Sequence, residues 1–347
     1  MTASPTFSEL GFYALAGAPK SPRDMLDELS LAENLGIGNA FISERFNMKE
    51  AGALTGAALG ATRSIRVTTA ATNHTTRHPL VTASWASTLH LLSNGRFSLG
   101  LGRGIEAMFK AYGMTMATTQ SLENFAHLMR RLWTGETVFN YSDSTGDYPI
   151  LRLDPDFDLT IPLSITAFGD DTLAMAGRSY DNVILHTFFT DETTARAVQI
   201  VKSSAERAGR DPNQVKVWSC FATIGDHIDP DLRLKKTVGR LATYLQAYGD
   251  LMVSTNKWDP KALQRFRDDE FVRTFPGAFD AKGTTADLER ISSLIPSEWL
   301  APAAMGTPEQ CAAAVRHQFA LGCDGVIMHG ATPHELAPII AAYSTVQ

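Results

Sequence analysis

Residues 73–104 read NHTTRHPLVTASWASTLHLLSNGRFSLGLGRG, and the order of signals in that stretch decides the fold. Asn73 to His78 reads as a loop. Pro79 suits the first position of a helix, where its missing N–H is not needed. Leu80, Ala83, Ala86, Leu89 and Leu92 then recur at helical spacing. Asn94-Gly95 is a turn signal. Arg96 to Leu101 follows as a short buried strand, and Gly102-Arg103-Gly104 as a second loop. Two loops that each follow a strand, one βα unit apart, match the C-terminal face of a parallel (β/α)8 barrel, where catalytic groups collect.

Outward from this stretch, eight strand-then-helix units can be counted. The spacing predicts strands at Leu10–Leu15, Ala40–Ser43, Ile65–Thr72, Phe97–Gly102, Ile161–Phe168, Asn182–His186, Val215–Ala222 and Asp324–His329. Helices are expected at Pro22–Leu35, Ala51–Thr62, Ser121–Trp133 (Ser121 and Asn124 helping to cap it), Glu192–Ala208 and Pro333–Tyr343, with another starting at Thr307-Pro308-Glu309. Two segments break the rhythm. Residues 135–159 are polar, with Gly146, Pro149 and Pro155, and read as a loop or small hairpin. Residues 226–300 are helical and rich in mixed charge, with no obvious strand. The expected fold is therefore α/β, a (β/α)8 TIM barrel with a helical insertion between strands seven and eight, in one unit over residues 1–347. A doubly wound open sheet would need an early glycine fingerprint, and Gly100-Leu101-Gly102-Arg103-Gly104 lies on the fourth strand instead.

The bulk composition narrows the function. At 347 residues, 44% hydrophobic and 20% charged, the chain resembles an ordinary globular protein. A net charge of −6 offers no basic footprint for nucleic acid and no polybasic patch for a membrane. Met1-Thr2-Ala3-Ser4-Pro5 lacks the basic region and apolar run of a signal peptide. Cys220, Cys311 and Cys323 are odd in number, widely spaced and apolar in setting, which fits reduced thiols in a cytoplasmic protein. A small-molecule substrate is the expected partner.

A barrel pocket would be built from the strand ends: Tyr13 to Gly17, Ser43-Glu44-Arg45, Thr69 to Asn73, Gly102 to Glu106, Phe168-Gly169-Asp170 and His186-Thr187. Thr69-Ala70-Ala71-Thr72-Asn73 is small enough to lie under a planar ring, or it is a plain buried strand. Gly102-Arg103-Gly104 lets backbone N–H groups approach a ligand, although turns use glycine often. Gly169-Asp170-Asp171-Thr172 opens a helix, so its N–H groups either hold a phosphate or are capped by Asp170. Arg45 stays protonated at neutral pH and is no ordinary base. It stabilises developing negative charge, or it pairs with Glu44 or a loop acid. His186 contacts ligand or is a satisfied core histidine. Phe188 and Phe189 form an apolar mouth or belong to the core. His74 and His78 have H-x3-H spacing, but Pro79 keeps them off one helical face and no third ligand is local, so no metal site is expected.

Thr72-Asn73-x-x-Thr76-Arg77-His78-Pro79, the apolar helix, and Ser93-x-Gly95-Arg96-Phe97-x-Leu99-Gly100-Leu101-Gly102-Arg103-Gly104 resemble the luciferase-like monooxygenase superfamily, and within it the branch that uses the deazaflavin coenzyme F420. The resemblance runs from Leu10 to about Ala342. It implies a barrel whose long insertion lies over the top, and relatives that are commonly homodimers. It implies F420 as cofactor, with FMN as the alternative, and a non-proline cis peptide at Thr69–Ala70 or Ala70–Ala71 beneath the ring. It places cofactor contacts at Ser43, Glu44, Thr69, Ala70, Ala71, Thr72, Asn73, Gly102, Arg103, Gly104, Ile105, Phe168, Gly169, Asp170 and Thr172. Asp170 and Asp171 must then point away from the phosphate.

Departures from the family pattern are informative. Relatives place an acid and then a histidine where this chain has Glu44-Arg45. Carboxylates of the sugar-phosphate dehydrogenases are missing near Gly17 and at Ile105 (Glu106 is adjacent), and their lysine falls near Phe188–Phe189. Sugar-phosphate oxidation is not expected. The leading expectation is an oxidoreductase that transfers a hydride between the deazaflavin and a small organic substrate, with Arg45 and Tyr13 as the polar groups at the chemistry. The alternatives are an FMN-dependent monooxygenase, a flavin-binding protein without turnover, and a metal-dependent barrel hydrolase.

Overall fold

The computed structural model describes residues 7–17, 19–46 and 49–345; Met1 to Pro5, read above for a leader, lie outside them. In chain order the strands are β1 (Phe7–Tyr13), β2 (Ile37–Ile42), β3 (Arg66–Thr69), β4 (Phe97–Leu101), β5 (Val138–Asp143), β6 (Gly146–Leu151), β7 (Leu163–Thr166), β8 (Asn182–Ile184), β9 (Lys216–Gly225), β10 (Ala303–Gly306) and β11 (Gly325–His329). Eight of them pair in parallel in the order β1-β2-β3-β4-β7-β8-β9-β11, and β11 returns to β1. The ring is closed, so the fold is a (β/α)8 barrel and not an open doubly wound sheet.

Helices cover the barrel because each strand buries both faces. The stretch that decides the fold behaves as its residues dictate. His78 Nδ1 accepts from Leu80 N at 3.2 Å, Pro79 takes the first turn, and Pro79–Leu92 is helical. Phe97, Leu99 and Leu101 of β4 are fully buried. At the opposite end of the barrel, the Arg96 guanidinium donates to the carbonyls of Leu59, Thr62, Ile65 and Ser93, fastening the start of β4 to the turn before β3.

Residues 135–159 hold the antiparallel hairpin of β5 and β6. Between β9 and β10 the chain forms a run of helices, among them Arg240–Asn256, Pro260–Asp268 and Thr285–Leu294. These pack on a second apolar cluster that includes Leu241, Leu245, Phe266, Phe279 and Leu288 and meets the barrel at Phe188 and Ala222. Among the described residues, no helix is long and apolar enough to cross a membrane.

Four details differ from the sequence expectation. β3 stops at Thr69 rather than Thr72, and Ala70–Ala71 is a cis peptide, the second of the two positions the resemblance offers. The helix expected from Ser121 begins at Thr119. Its cap is Thr118, whose hydroxyl accepts from Ser121 N while Ser121 Oγ accepts from Thr118 N, so Ser121 sits inside the helix as the return partner of a capping box. Glu106–Ala111 forms a short helix that its sequence does not announce. β10 extends the sheet beside β9, although Ala303-Ala304-Met305-Gly306 lacks the β-branched and aromatic residues that mark strands.

Candidate active site

The C-terminal tips of β2, β3, β4 and β7 form one side of the mouth. The tip of β3 is tied from both flanks: Ala70 N donates to Ile42 O at 2.7 Å, Glu44 N to Ala71 O at 3.2 Å, Thr72 N to Gly100 O at 3.0 Å and Gly102 N to Thr72 O at 2.9 Å. The Thr69 hydroxyl is occupied inside the wall, donating to Gly100 O and accepting from Gly100 N. Asn73 Nδ2 donates to Gly102 O at 2.8 Å. These polar groups hold the wall; Ala71 lies beside Gly102, and Ala70 is buried with Phe41, Ile184, Cys220 and Ile327. A Cβ on Gly102 would lie 2.7 Å from Thr166 Oγ1 and 2.8 Å from Ala71 Cβ, so this wall admits no side chain.

Glu44 anchors that tip from below. Its side chain is 1% exposed and pairs with Arg77 through both oxygens; it also accepts from Thr72 Oγ1 at 2.5 Å. The partner of Glu44 is therefore Arg77 and not Arg45. Arg45 instead donates Nη1 to Gly17 O at 3.1 Å, and its strand-like exchange with Lys49 (both N···O distances 2.8 Å) fixes its backbone. Loss of water and the neighbouring Arg240 charge both lower the Arg45 pKa. Lys49, 2% exposed, donates Nζ to Leu15 O, and burial followed by repulsion from Arg45 brings its pKa down to about 7.

The next tip ends in Phe168 and the helix Asp170–Ser179. Gly169 is its N-cap and no side chain caps it, so Asp170 does not act as the cap. The helix dipole stands behind the first-turn N–H groups, and there is room beside the N-cap: the nearest atom to a Cβ placed on Gly169 would be Leu251 Cδ1, 4.0 Å away. Asp170 is 64% exposed and turns toward Arg196, 3.9 Å away. Arg103, Gly104 and Ile105 are exposed on the rim, with Arg103 donating to Thr119 Oγ1. Ser43 and Thr172 are half-buried at their strand end and helix start.

The far side of the mouth carries groups that the strand ends alone do not reveal. Helix Arg240–Asn256 places Arg240, Tyr244 and Tyr248 there, with Arg240 held by Asp280 at 2.8 Å. Its backbone breaks at Tyr248 (φ −156°, ψ 38°). The His186 ring lies 4.4 Å from Phe168, 4.9 Å from Tyr244 and 5.2 Å from Tyr248 between centroids. Burial pushes the His186 pKa down to about 4. Tyr13 packs edge-on against His329 at 5.4 Å, and burial first, then Cys220 and Tyr244, hold its hydroxyl protonated. Desolvation, then Arg240, keeps His329 neutral. The Cys220 thiol is pushed up to about 12 by burial and contacts Thr187 Oγ1 at 3.2 Å.

Phe188 and Phe189 are core residues, 1% and 6% exposed, and do not line an apolar mouth. Sequence reasoning missed His329, which enumeration of the eighth strand's end would have found. It also missed Arg240, Tyr244 and Tyr248, whose i, i+4 spacing shows a helical face but not what that face covers.

His74 and His78 are used separately. His78 caps a helix, and His74 is buried against Phe125 at 4.9 Å. Among the described residues, no three His, Cys, Asp or Glu side chains are grouped to hold a metal ion. Among the described residues neither His74 ring nitrogen has a partner, and burial lowers its pKa from 6.5 to about 4. The unfolded chain therefore binds this proton first as pH falls. Its contribution is complete above pH 6.5 and drains toward pH 4, by about 3 kcal/mol in all. His74→Leu should flatten that part of the stability curve; urea melts of the variant that keep the wild-type slope over this interval would contradict it.

Comparison with known proteins agrees with the barrel fold. The luciferase-like monooxygenase family profile matches residues 6–325. Over 307 residues the chain is 28% identical to 5,10-methylenetetrahydromethanopterin reductase of Methanolobus tindarius, covering 86% of this chain and 87% of that one. The structure superposes on coenzyme F420 dependent tetrahydromethanopterin reductase from Methanopyrus kandleri with a TM-score of 0.76, at 19% identity and 98% coverage of both chains. It superposes on an F420-dependent secondary alcohol dehydrogenase in complex with an F420-acetone adduct with a TM-score of 0.72, at 18% identity, covering 98% of this chain and 99% of that one.

Proposed function

The chain belongs to the luciferase-like monooxygenase family, and from that premise we propose that it is an oxidoreductase transferring a hydride between coenzyme F420 and a small carbonyl or alcohol substrate. The observation that carries this reading is that the small-residue tips of neighbouring strands, Ala70-Ala71 and Gly102, lie at the same barrel end as an uncapped helix start at Gly169–Thr172. A flat ring fits the first and an anionic tail the second. The methylenetetrahydromethanopterin reductase likeness, over most of both chains, favours reductive chemistry on an organic substrate.

When bound, the deazaflavin supplies the two-electron chemistry. The protein's share is placement and charge. The strand tips fix the plane of the ring. Arg45, restrained by Gly17 O and its backbone exchange with Lys49, offers a fixed positive charge to oxygen that becomes negative. Tyr13 donates its hydroxyl to the same region because it cannot ionise near neutral pH. Phe168, Tyr244 and Tyr248 exclude water from the mouth.

Fluorescence titration with F420 and with FMN tests the proposal. We expect F420 to bind more tightly; submicromolar FMN binding with negligible F420 binding would replace this reading by the flavin monooxygenase one. Gly102→Ala should weaken F420 binding about tenfold or more while the barrel stays folded, since overpacking of about 1–3 kcal/mol falls on the strand-tip wall. An unchanged dissociation constant would place the ring elsewhere.

A further inference from the structure

Reduction of a carbonyl moves a proton as well as a hydride, and of the groups described so far Lys49 Nζ is committed to Leu15 O. Arg45 stays charged, and the Cys220 thiol is buried and inert. We propose that Tyr248, backed by His186, exchanges the proton of the substrate oxygen. The assignment rests on the hydride-transfer reading above.

Hydrogen-bond geometry sets the direction of the pair. His186 Nδ1 lies 2.9 Å from Thr187 O. A carbonyl oxygen only accepts, so Nδ1 carries the proton and Nε2 the lone pair. Tyr248 Oη is 3.0 Å from Nε2 and therefore donates to it. The phenol oxygen keeps lone pairs free to accept a proton from a substrate hydroxyl. The arrangement is a base behind an acid, the same logic by which a hydroxyl is activated elsewhere. Phe168 packs on both rings, at 4.4 Å from His186 and 5.9 Å from Tyr248, and Tyr244 stacks on Tyr248 at 5.5 Å. Exchange with bulk water is thereby restricted, and the proton travels through side chains. Phe168 and His186 both follow barrel strands at the mouth end, the face on which barrel active sites are built.

The step balances. In oxidation the alcohol O–H bond breaks and its proton passes to Tyr248 Oη, as the Tyr248 proton passes to His186 Nε2. The electron pair of the substrate C–H bond leaves as hydride to the oxidised deazaflavin. The products are a carbonyl, the reduced cofactor and an imidazolium. Reduction reverses each transfer, so it draws on protonated His186. Charges and titrating groups that face the pair are Tyr244, Arg240, Asp280, Cys220 and His329.

Full-length protein loaded with reduced F420 is offered a panel of aldehydes and ketones without oxygen, and the fastest substrate becomes the probe. Tyr248→Phe keeps the ring and its packing. It should leave the F420 dissociation constant within twofold and lower kcat by about 10²-fold or more. His186→Gln still accepts from Tyr248 but cannot carry the proton, so the rise of wild-type kcat with falling pH should vanish. Nitrogen-15 NMR of the cofactor-free protein should show His186 as the Nδ1-protonated tautomer, with Nε2 shifting in Tyr248→Phe. A Tyr248→Phe enzyme within threefold of wild type, an unaltered pH profile in His186→Gln, or the opposite tautomer would each overturn the proton route while the functional reading stands. Wild-type protein that neither binds F420 nor reduces any panel member overturns both.

Discussion

Gly100→Ala should leave no folded barrel. A Cβ at this position would lie 1.7 Å from the carbonyl oxygen of Thr69 and 2.9 Å from its carbonyl carbon. The obstacle is backbone of the neighbouring strand, so no rotamer change relieves it. β3 and β4 would have to separate. Separation would break the pair of bonds between the Thr69 hydroxyl and Gly100, 2.8 and 2.7 Å, and the bond from Thr72 N to Gly100 O. Loss of a backbone seam in a closed barrel belongs with the rare substitutions that cost more than about 4 kcal/mol. Circular dichroism melting and soluble yield read the outcome, and a variant that melts with wild type would refute the contact.

Arg77→Ala should be the next most damaging change, at about 3–5 kcal/mol. It strips the cation from a carboxylate that is 1% exposed, leaving Glu44 the Thr72 hydroxyl and a 3.4 Å bond from Ala51 N. Arg77 also bonds Thr72 Oγ1 at 2.8 Å and Glu50 at 2.5 Å, and lies 5.6 Å from the Trp85 ring centre. The cost is mainly that of the orphaned charge, so the double variant Glu44→Gln/Arg77→Met should recover a sizeable part of it. Urea melts of the single and double variants measure the difference. A double variant no more stable than Arg77→Ala would show that packing around Trp85, not charge, sets the loss.

The barrel was legible because its signals are local. Pro79, the helical spacing after it and the Asn94-Gly95 turn each act within a few residues, and the glycines of Gly100–Gly104 lie where strand meets loop. Glu44 was harder. Its neighbour Arg45 looked like a partner, but adjacent residues on an extended chain face opposite ways, and the cation that closes the pair is thirty-three residues further on. Thr118 and Ser121 both suit a cap, and only the observed register separates them. The far wall of the mouth was the least readable. Arg240, Tyr244, Tyr248 and Asp280 reach it through tertiary packing of residues 226–300, and periodicity carries no information about which surface a helix will meet.

The helices between β9 and β10 rest on an apolar cluster that includes Leu241, Leu245, Phe266, Phe279 and Leu288 and reaches into the barrel at Phe188 and Ala222, while the strand tips at Ala70, Ala71 and Gly102 are held by hydrogen bonds within the barrel wall. Roof and barrel meet where Tyr248 touches His186, so a substitution in the helical segment is felt at the strand ends through that bond.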